Sequence, residues 1–394
     1  MNLHPIEEPV IARADHPLWR LGFRPFYLLA ASFAALSVPL WVARYLGLFI
    51  GWQQVGLGWH MHEMVFGMAI AVIIGFLYTA GRTWTGLDTP RGSQLAALAA
   101  LWLAGRLAML AAPEGLAAPI DLLFLPLAGW PLYQVLTRSG NKRNLFLVGL
   151  LGLLTLANVL YHASALAWLA LAPTVPVQAA ILVIVVIESV IGARVIPMFT
   201  RNGAPGTEPL VHPRRDQIAL ALTAGASLGW TFGLAPAAVA ALAVAAGCAI
   251  LVRLVGWQPQ RTLGVPLLWS LHLAYAWIPV GFFLLALAAL GVVSSSAAFH
   301  ALTVGSMAGL IIGMMTRTTL GHTGRPLKTG RAEPVMFGLV QAGAVLRLCA
   351  ALGPLAWRDA CLVAAAACWS VAFLIYLAVY APYLWRARLD GRDG

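Results

Sequence analysis

The sequence predicts an all-α, polytopic membrane protein with about twelve transmembrane helices. Three observations carry this. Of 394 residues, 61% are hydrophobic and 10% charged, whereas a soluble chain carries about 25% charged residues. Apolar runs of about 20 residues recur along the whole length, each long enough to cross a hydrocarbon layer about 30 Å thick. Their hydrophobicity is continuous, not alternating, which selects helices over a barrel, the only two backbones satisfied in lipid.

The elements follow in order. A polar tail, 1–25, has no apolar stretch of its own and is not a cleavable signal peptide. Turn signals and polar breaks then delimit spans at about 26–49, 59–81, 93–112, 119–137, 144–166 and 176–200. The second half gives spans at about 216–234, 236–256, 265–290, 297–319, 334–353 and 360–385. Short uncharged linkers, "LALAPTVP" and "GLAP", join the fifth span to the sixth and the seventh to the eighth. The twelve spans form one domain, 26–385, and a short tail, 386–394, follows. Cys248, Cys349, Cys361 and Cys368 all fall in apolar runs without a Cys-x-x-Cys pair, and are expected to be small core residues.

Charge gives the orientation. With the N-terminus in the cytoplasm, 21 of the 25 Lys and Arg fall on the inner side, and only Arg44, Arg106, Arg347 and Arg358 lie toward the outer side. By the positive-inside rule both termini are cytoplasmic. The same distribution accounts for the net charge of +11 without a nucleic-acid partner. A faint internal echo accompanies the spans: the second, sixth and tenth end in "IIGFLYTAGRTWTG", "VIGARVIPMFTRNG" and "IIGMMTRTTLGHTG". Gly75, Gly192 and Gly313 are 117 and 121 residues apart, which suggests a four-helix unit used three times.

Histidines are the conspicuous polar residues. His4 and His16 lie in the tail and His212 in an inner loop, as solvated side chains. His60 and His62 open the second span, His162 is late in the fifth and His300 opens the tenth, so four imidazoles share the outer level. His272 and His322 lie toward the inner side as a possible second layer. A single intramembrane histidine can simply hydrogen-bond between helices, but polar residues there are costly and usually functional. Four at one level, with no matching set of carboxylates in view, fit metal ligation better than proton relay. His60 and His62, two residues apart, point about 200° from each other and cannot share a metal unless the helix begins between them. Met64, one turn after His60, suits copper. Glu63 could orient an imidazole or be an exposed first-turn carboxylate. Tyr275 shares a helical face with His272, as a proton donor near a bound ligand or as packing. Glu188 is a buried carboxylate whose expected partner is Arg194 or another inner arginine, and a proton-path role is the alternative. Arg82, Arg194 and Arg317 crowd the inner ends, where they anchor the bundle or meet haem propionates.

The pieces "LGFRPFYLLAA" (21–31), "HMHEMVFGMAIAVIIGFLYTAGRTWTG" (60–86), "GARVIPMFTRNG" (192–203), "LHLAYAWIP" (271–279) and "HALTVGSMAGLIIGMMTRTTLGHTGR" (300–325) strongly resemble the NnrS family, as does the twelve-span layout. That family comprises membrane proteins associated with haem, copper and the bacterial response to nitric oxide. The resemblance implies a multi-pass protein of the bacterial inner membrane, with a b-type haem held by histidines drawn from His60, His62, His162 and His300, and with copper nearby. It further implies nitric oxide as ligand, and for turnover an electron donor such as a quinol or a cytochrome. A nitric oxide reductase-like oxidoreductase, a non-catalytic sensor or sink, and a metal or ion transporter are the three function classes. Apart from Glu188 the span middles are poor in polar residues, which counts against the transporter. The three-unit pattern is also similar to the fold of haem–copper oxidases and nitric oxide reductases. Their ligand set does not carry over: the sixth span has no histidine, no His-His pair occurs, and no His-x-His lies in the tenth.

Overall fold

The protein is seen in a computed structural model that describes residues 16–392. His4, Arg13 and most of the N-terminal tail lie outside the described residues. No strand occurs among the described residues. Twelve long helices follow one another: α1 (Phe23–Tyr45), α2 (Leu57–Thr85), α3 (Gly92–Ala111), α4 (Glu114–Arg138), α5 (Leu145–Ala165) and α6 (Thr174–Gly203). Then come α7 (Pro213–Thr231), α8 (Pro236–Gly256), α9 (Pro266–Ala289), α10 (Ser295–His322), α11 (Ala332–Leu352) and α12 (Arg358–Trp385).

Hydrophobic thickness sets these lengths, so the predicted spans reappear with shifts of a few residues. The start of α4 matters most, because it begins at Glu114 after Pro113 and thereby brings a carboxylate into the helix. Prolines at the first helical position start α7, α8 and α9, where the missing N–H costs nothing. Eleven of the twelve are long and apolar enough to cross a membrane. The exception is α7, whose 19 residues open with Arg214, Arg215 and Asp216. At about 28 Å it is as long as a span but less apolar.

The pattern of neighbours repeats every four helices. α1 packs on α2, α5 on α6 and α9 on α10, while α3 pairs with α4, α7 with α8 and α11 with α12. The fourth helix of each set then packs on the first of the next: α4 on α5, α8 on α9, and α12 back on α1. α2 touches α6, and α6 touches α10, near the middle. Burial agrees, since 78% of the most apolar window of both α2 and α10 is covered by other helices. Both ends of the described chain lie at one end of the bundle, where the Arg24 guanidinium donates to the Leu384 carbonyl at 2.8 Å. At the opposite end α1 finishes and α2 and α10 begin.

Both α2 and α10 widen into a π-helical segment directly after a histidine, Glu63–Ala69 following His62 and Ala301–Ala308 following His300. Such segments are rare and frequently lie at functional sites. The cysteines correct an expectation. All four are free, with Cys248 and Cys349 exposed on the outside of the bundle and Cys361 and Cys368 half-buried. An apolar run in a membrane helix faces lipid as readily as core, so hydrophobicity alone could not place them.

Candidate functional site

The four histidines at the α2/α10 end divide into two pairs. His60 and His62 both lie inside the first turns of α2, and their opposite directions send them into different surroundings.

His62 enters a buried ionic cluster built from four helices. α2 supplies His62 and Glu63, α3 supplies Arg106, α4 supplies Glu114 and Asp121, and α5 supplies Asn158 and His162. Glu114 and Asp121 are seven apart and Asn158 and His162 four apart, spacings that place each pair on one helical face. His62 Nδ1 lies 2.9 Å from Glu63 Oε1, and His162 Nδ1 lies 2.6 Å from Glu114 Oε1. The other nitrogens converge: His62 Nε2 is 3.3 Å, and His162 Nε2 3.1 Å, from Asp121 Oδ2. Asn158 donates to that same oxygen at 2.7 Å, and its own amide oxygen lies 2.9 Å from His62 Nε2. Arg106 spans the cluster, donating to Glu63 Oε1 at 2.5 Å and to Asp121 Oδ1. Gly67 makes this possible, because a Cβ there would meet the Arg106 guanidinium at 2.8 Å. His62, Glu63, Arg106, Asp121 and His162 are all buried, and only Glu114 reaches the rim, its side chain 31% exposed.

The second pair faces a cavity of about 320 Å³ between α1, α2, α6, α10, α11 and α12. His60 from α2 and His300 from α10 both line it, with Met64, Met307, Arg347 and Trp369. His60 stacks on Trp41, with ring centroids 4.1 Å apart and planes 15° apart, and its Nδ1 has no hydrogen-bond partner. His300 Nδ1 donates to the Ser296 carbonyl at 2.7 Å, one turn earlier on α10. A carbonyl only accepts, so the proton is on Nδ1 and the Nε2 lone pair is free. Arg347 donates to Ser296 Oγ at 3.0 Å, which holds the guanidinium against the same turn.

The remaining predicted residues lie elsewhere. Arg82 pairs with Asp88 at 3.1 Å, Arg194 donates to Asn144 Oδ1 at 2.8 Å, and Arg317 stacks over Phe199 at 3.8 Å. These belong to the terminus-bearing end. His60 and Arg82 are 22 residues apart on one helix, about 33 Å. No single haem reaches both, so Arg347 replaces them as the arginine beside the histidines. His272 Nε2 lies 2.8 Å from Thr200 Oγ1, while His322 packs against Phe23, so these two do not form a shared layer. Tyr275 receives a hydrogen bond from Arg253 and lines neither the His60–His300 cavity nor its smaller neighbour. Glu188 accepts from Ser306 at 2.8 Å and is not the partner of Arg194. Six residues apart on a helix, the two side chains point about 120° from each other.

One alternative and one expectation fall. Glu63 is fully buried, not an exposed first-turn carboxylate, and it meets His62 as the imidazole-orienting alternative requires. The absence of matching carboxylates also fails, because Glu63, Glu114 and Asp121 surround His62 and His162. The signal existed in "LAGRLAML" and "APIDLLFL", where one charge interrupts each apolar run, and intramembrane charges of that kind mark sites.

A model of the family described as NnrS protein matches residues 17–388, nearly the whole chain. The chain belongs to the NnrS family. No curated protein and no solved structure matches it. In this NnrS protein the α2/α10 end therefore offers two adjoining chemistries. One is a polar knot of imidazoles, carboxylates and a guanidinium, and the other is an apolar cavity with two imidazoles, thioethers and one arginine. Among the described residues, the group of His, Cys, Asp and Glu close enough to hold a metal ion is His62, Asp121 and His162.

Proposed function

We propose that the chain is a haem- and metal-containing membrane protein of nitric oxide metabolism, with nitric oxide bound in the His60–His300 cavity. Membership of the NnrS family supports the coarser statement, a nitric oxide-related haem or metal membrane protein. The observation that carries the finer one is the His300 hydrogen bond to the Ser296 carbonyl. It fixes the tautomer and leaves a neutral nitrogen lone pair with which His300 would hold a haem iron.

The cavity residues fit a haem in other respects. His60 comes from the facing helix with an unpartnered Nδ1, a costly state for a buried polar atom unless a ligand uses the ring. Trp41 and Trp369 form apolar walls, and Arg347 suits a propionate, which a guanidinium binds bidentately. Bound there, a haem supplies a redox-active iron that takes nitric oxide as a ligand. Met64 and Met307 offer thioether sulfur to the same space, which suits copper. Nitric oxide partitions into lipid, so the site needs no wide aqueous channel. If turnover occurs, two nitric oxide molecules, two electrons and two protons give one nitrous oxide and one water. The electrons then come from a quinol or a cytochrome. Glu188 would hand on protons in this reading, supported by its position lining a cavity of about 100 Å³ that shares Met307 with the histidine cavity.

The test is a spectrum of the purified protein with and without nitric oxide, followed by a nitrous oxide assay with a reductant. A Soret band that shifts with nitric oxide and is lost in His300→Ala supports the reading, and a colourless, iron-free protein ends it. Nitrous oxide formation separates an enzyme from a sensor or sink.

A further inference from the structure

We infer that His62, His162 and Asp121 form a second metal centre, a site for a first-row divalent cation separate from the His60–His300 cavity. This goes beyond the haem reading and does not depend on it.

The argument starts from hydrogen-bond counting. A neutral imidazole has one N–H and one lone pair. In the cluster both nitrogens of both rings face oxygen acceptors: Glu63, Asn158 Oδ1 and Asp121 for His62, and Glu114 and Asp121 for His162. With Nδ1 donating to the glutamates, each Nε2 presents a lone pair to a carboxylate oxygen. Three lone-pair atoms then crowd one point, which a divalent cation among them relieves; a second proton on each ring is the alternative, and a protein that takes up no metal would favour it. The spacing fits one. Metal–nitrogen and metal–oxygen bonds of about 2.1 Å at tetrahedral angles separate neighbouring donor atoms by about 3.4 Å. The two nitrogens lie 3.3 and 3.1 Å from Asp121 Oδ2, and all three atoms fall within 4.8 Å of one another.

Charge and surroundings agree. Three carboxylates against one guanidinium leave two negative charges beside neutral imidazoles, buried except for Glu114 at the rim. Each ring is held from behind by a carboxylate on Nδ1, the arrangement that orients metal-binding histidines. Arg106 occupies Asp121 Oδ1, so the aspartate can offer only Oδ2. Glu63 Oε2 is buried without any partner, a further acceptor on the carboxylate that meets His62 and Arg106. Two histidines and one carboxylate form a borderline-to-hard donor set. It suits iron(II) or zinc(II), and suits copper(I) less well than the thioethers lining the neighbouring cavity.

Purified protein is analysed for total metal and, separately, for haem, then stripped with a chelator and titrated with cobalt(II), whose visible spectrum reports nitrogen and oxygen coordination. The wild type is expected to carry about one non-haem divalent ion per chain and to bind cobalt(II) with one-to-one stoichiometry. Asp121→Asn, which keeps the side chain's size, is expected to lose that ion while haem content is unchanged. Should Asp121→Asn fail to fold, Glu114→Gln at the rim is expected to weaken cobalt(II) binding by about 10- to 100-fold. A wild type that neither contains a non-haem ion nor takes up cobalt(II) overturns the inference. A folded Asp121→Asn protein that retains the ion, or a Glu114→Gln protein with unchanged cobalt(II) affinity, also overturns it. A wild type that carries the ion but no haem would instead overturn the haem reading alone.

Discussion

Arg106 is the residue on which the buried knot depends. It is the cluster's one guanidinium, bonded to both Glu63 and Asp121 and lying 5.8 Å over the Trp102 ring. Removing one partner of a buried ion pair leaves the other charges uncompensated, at a cost of about 3–5 kcal/mol. Arg106→Met, which keeps the apolar stem, is therefore expected to lower the unfolding midpoint in detergent strongly, and supplementation with a divalent cation should recover part of the loss. A midpoint equal to wild type would show that the guanidinium is not holding the carboxylates. At this scale the sequence disclosed the histidines but not their company. His62 and His162 stand out in apolar runs, yet Arg106, Glu114 and Asp121 come from two other helices, and only tertiary packing shows that these five residues meet. The split between His60 and His62 was legible, because two residues on a helix necessarily diverge.

The two π segments set the geometry at the level of the element, and each contains a glycine that another helix fills. A Cβ on Gly67 would strike Arg106 at 2.8 Å, and one on Gly305 would strike the Trp277 ring at 2.4 Å. Trp277 is itself anchored, donating to Gln341 Oε1 at 2.6 Å, and so has little freedom to retreat. Overpacking of this kind costs about 1–3 kcal/mol and moves helices apart. Gly305→Ala is expected to lower the thermal midpoint by several degrees and reduce haem occupancy, since His300 lies on the turn before. Gly67→Ala is expected to reduce the non-haem ion selectively. Metal and haem content measured on both variants checks this, and a reversed pattern would mean that each segment serves the other site. Helix limits were legible because bilayer thickness and continuous hydrophobicity fix them. The π segments were not, since widening a helix by one residue per turn leaves no mark in composition and depends on what packs against it.

Over the whole molecule, the echo among the second, sixth and tenth spans corresponds to a neighbour pattern that recurs every four helices and closes from α12 onto α1. The echo was readable because those three helices lie at the shared centre, where glycine and threonine are required for close approach. The charge asymmetry acquires a reason at the same scale. Of the four basic residues toward the α2/α10 end, Arg106 is sealed in the ionic cluster and Arg347 lines the cavity. That leaves Arg44 and Arg358 at the surface there, and Arg358 donates to the Tyr45 hydroxyl at 2.5 Å. The charges that oppose the orienting bias are thus partly withdrawn into sites, and the bias that insertion responds to is stronger than the raw count. The positive-inside rule predicts that the α2/α10 end faces away from the cytoplasm. A reporter enzyme active only outside the cytoplasm is expected to work when fused in the α1–α2 loop near Gly51. It is expected to be silent when fused near Gly140, between α4 and α5, or after Arg392. The inverse activity pattern would place both proposed sites on the cytoplasmic side, and any electron donor would then have to approach from there.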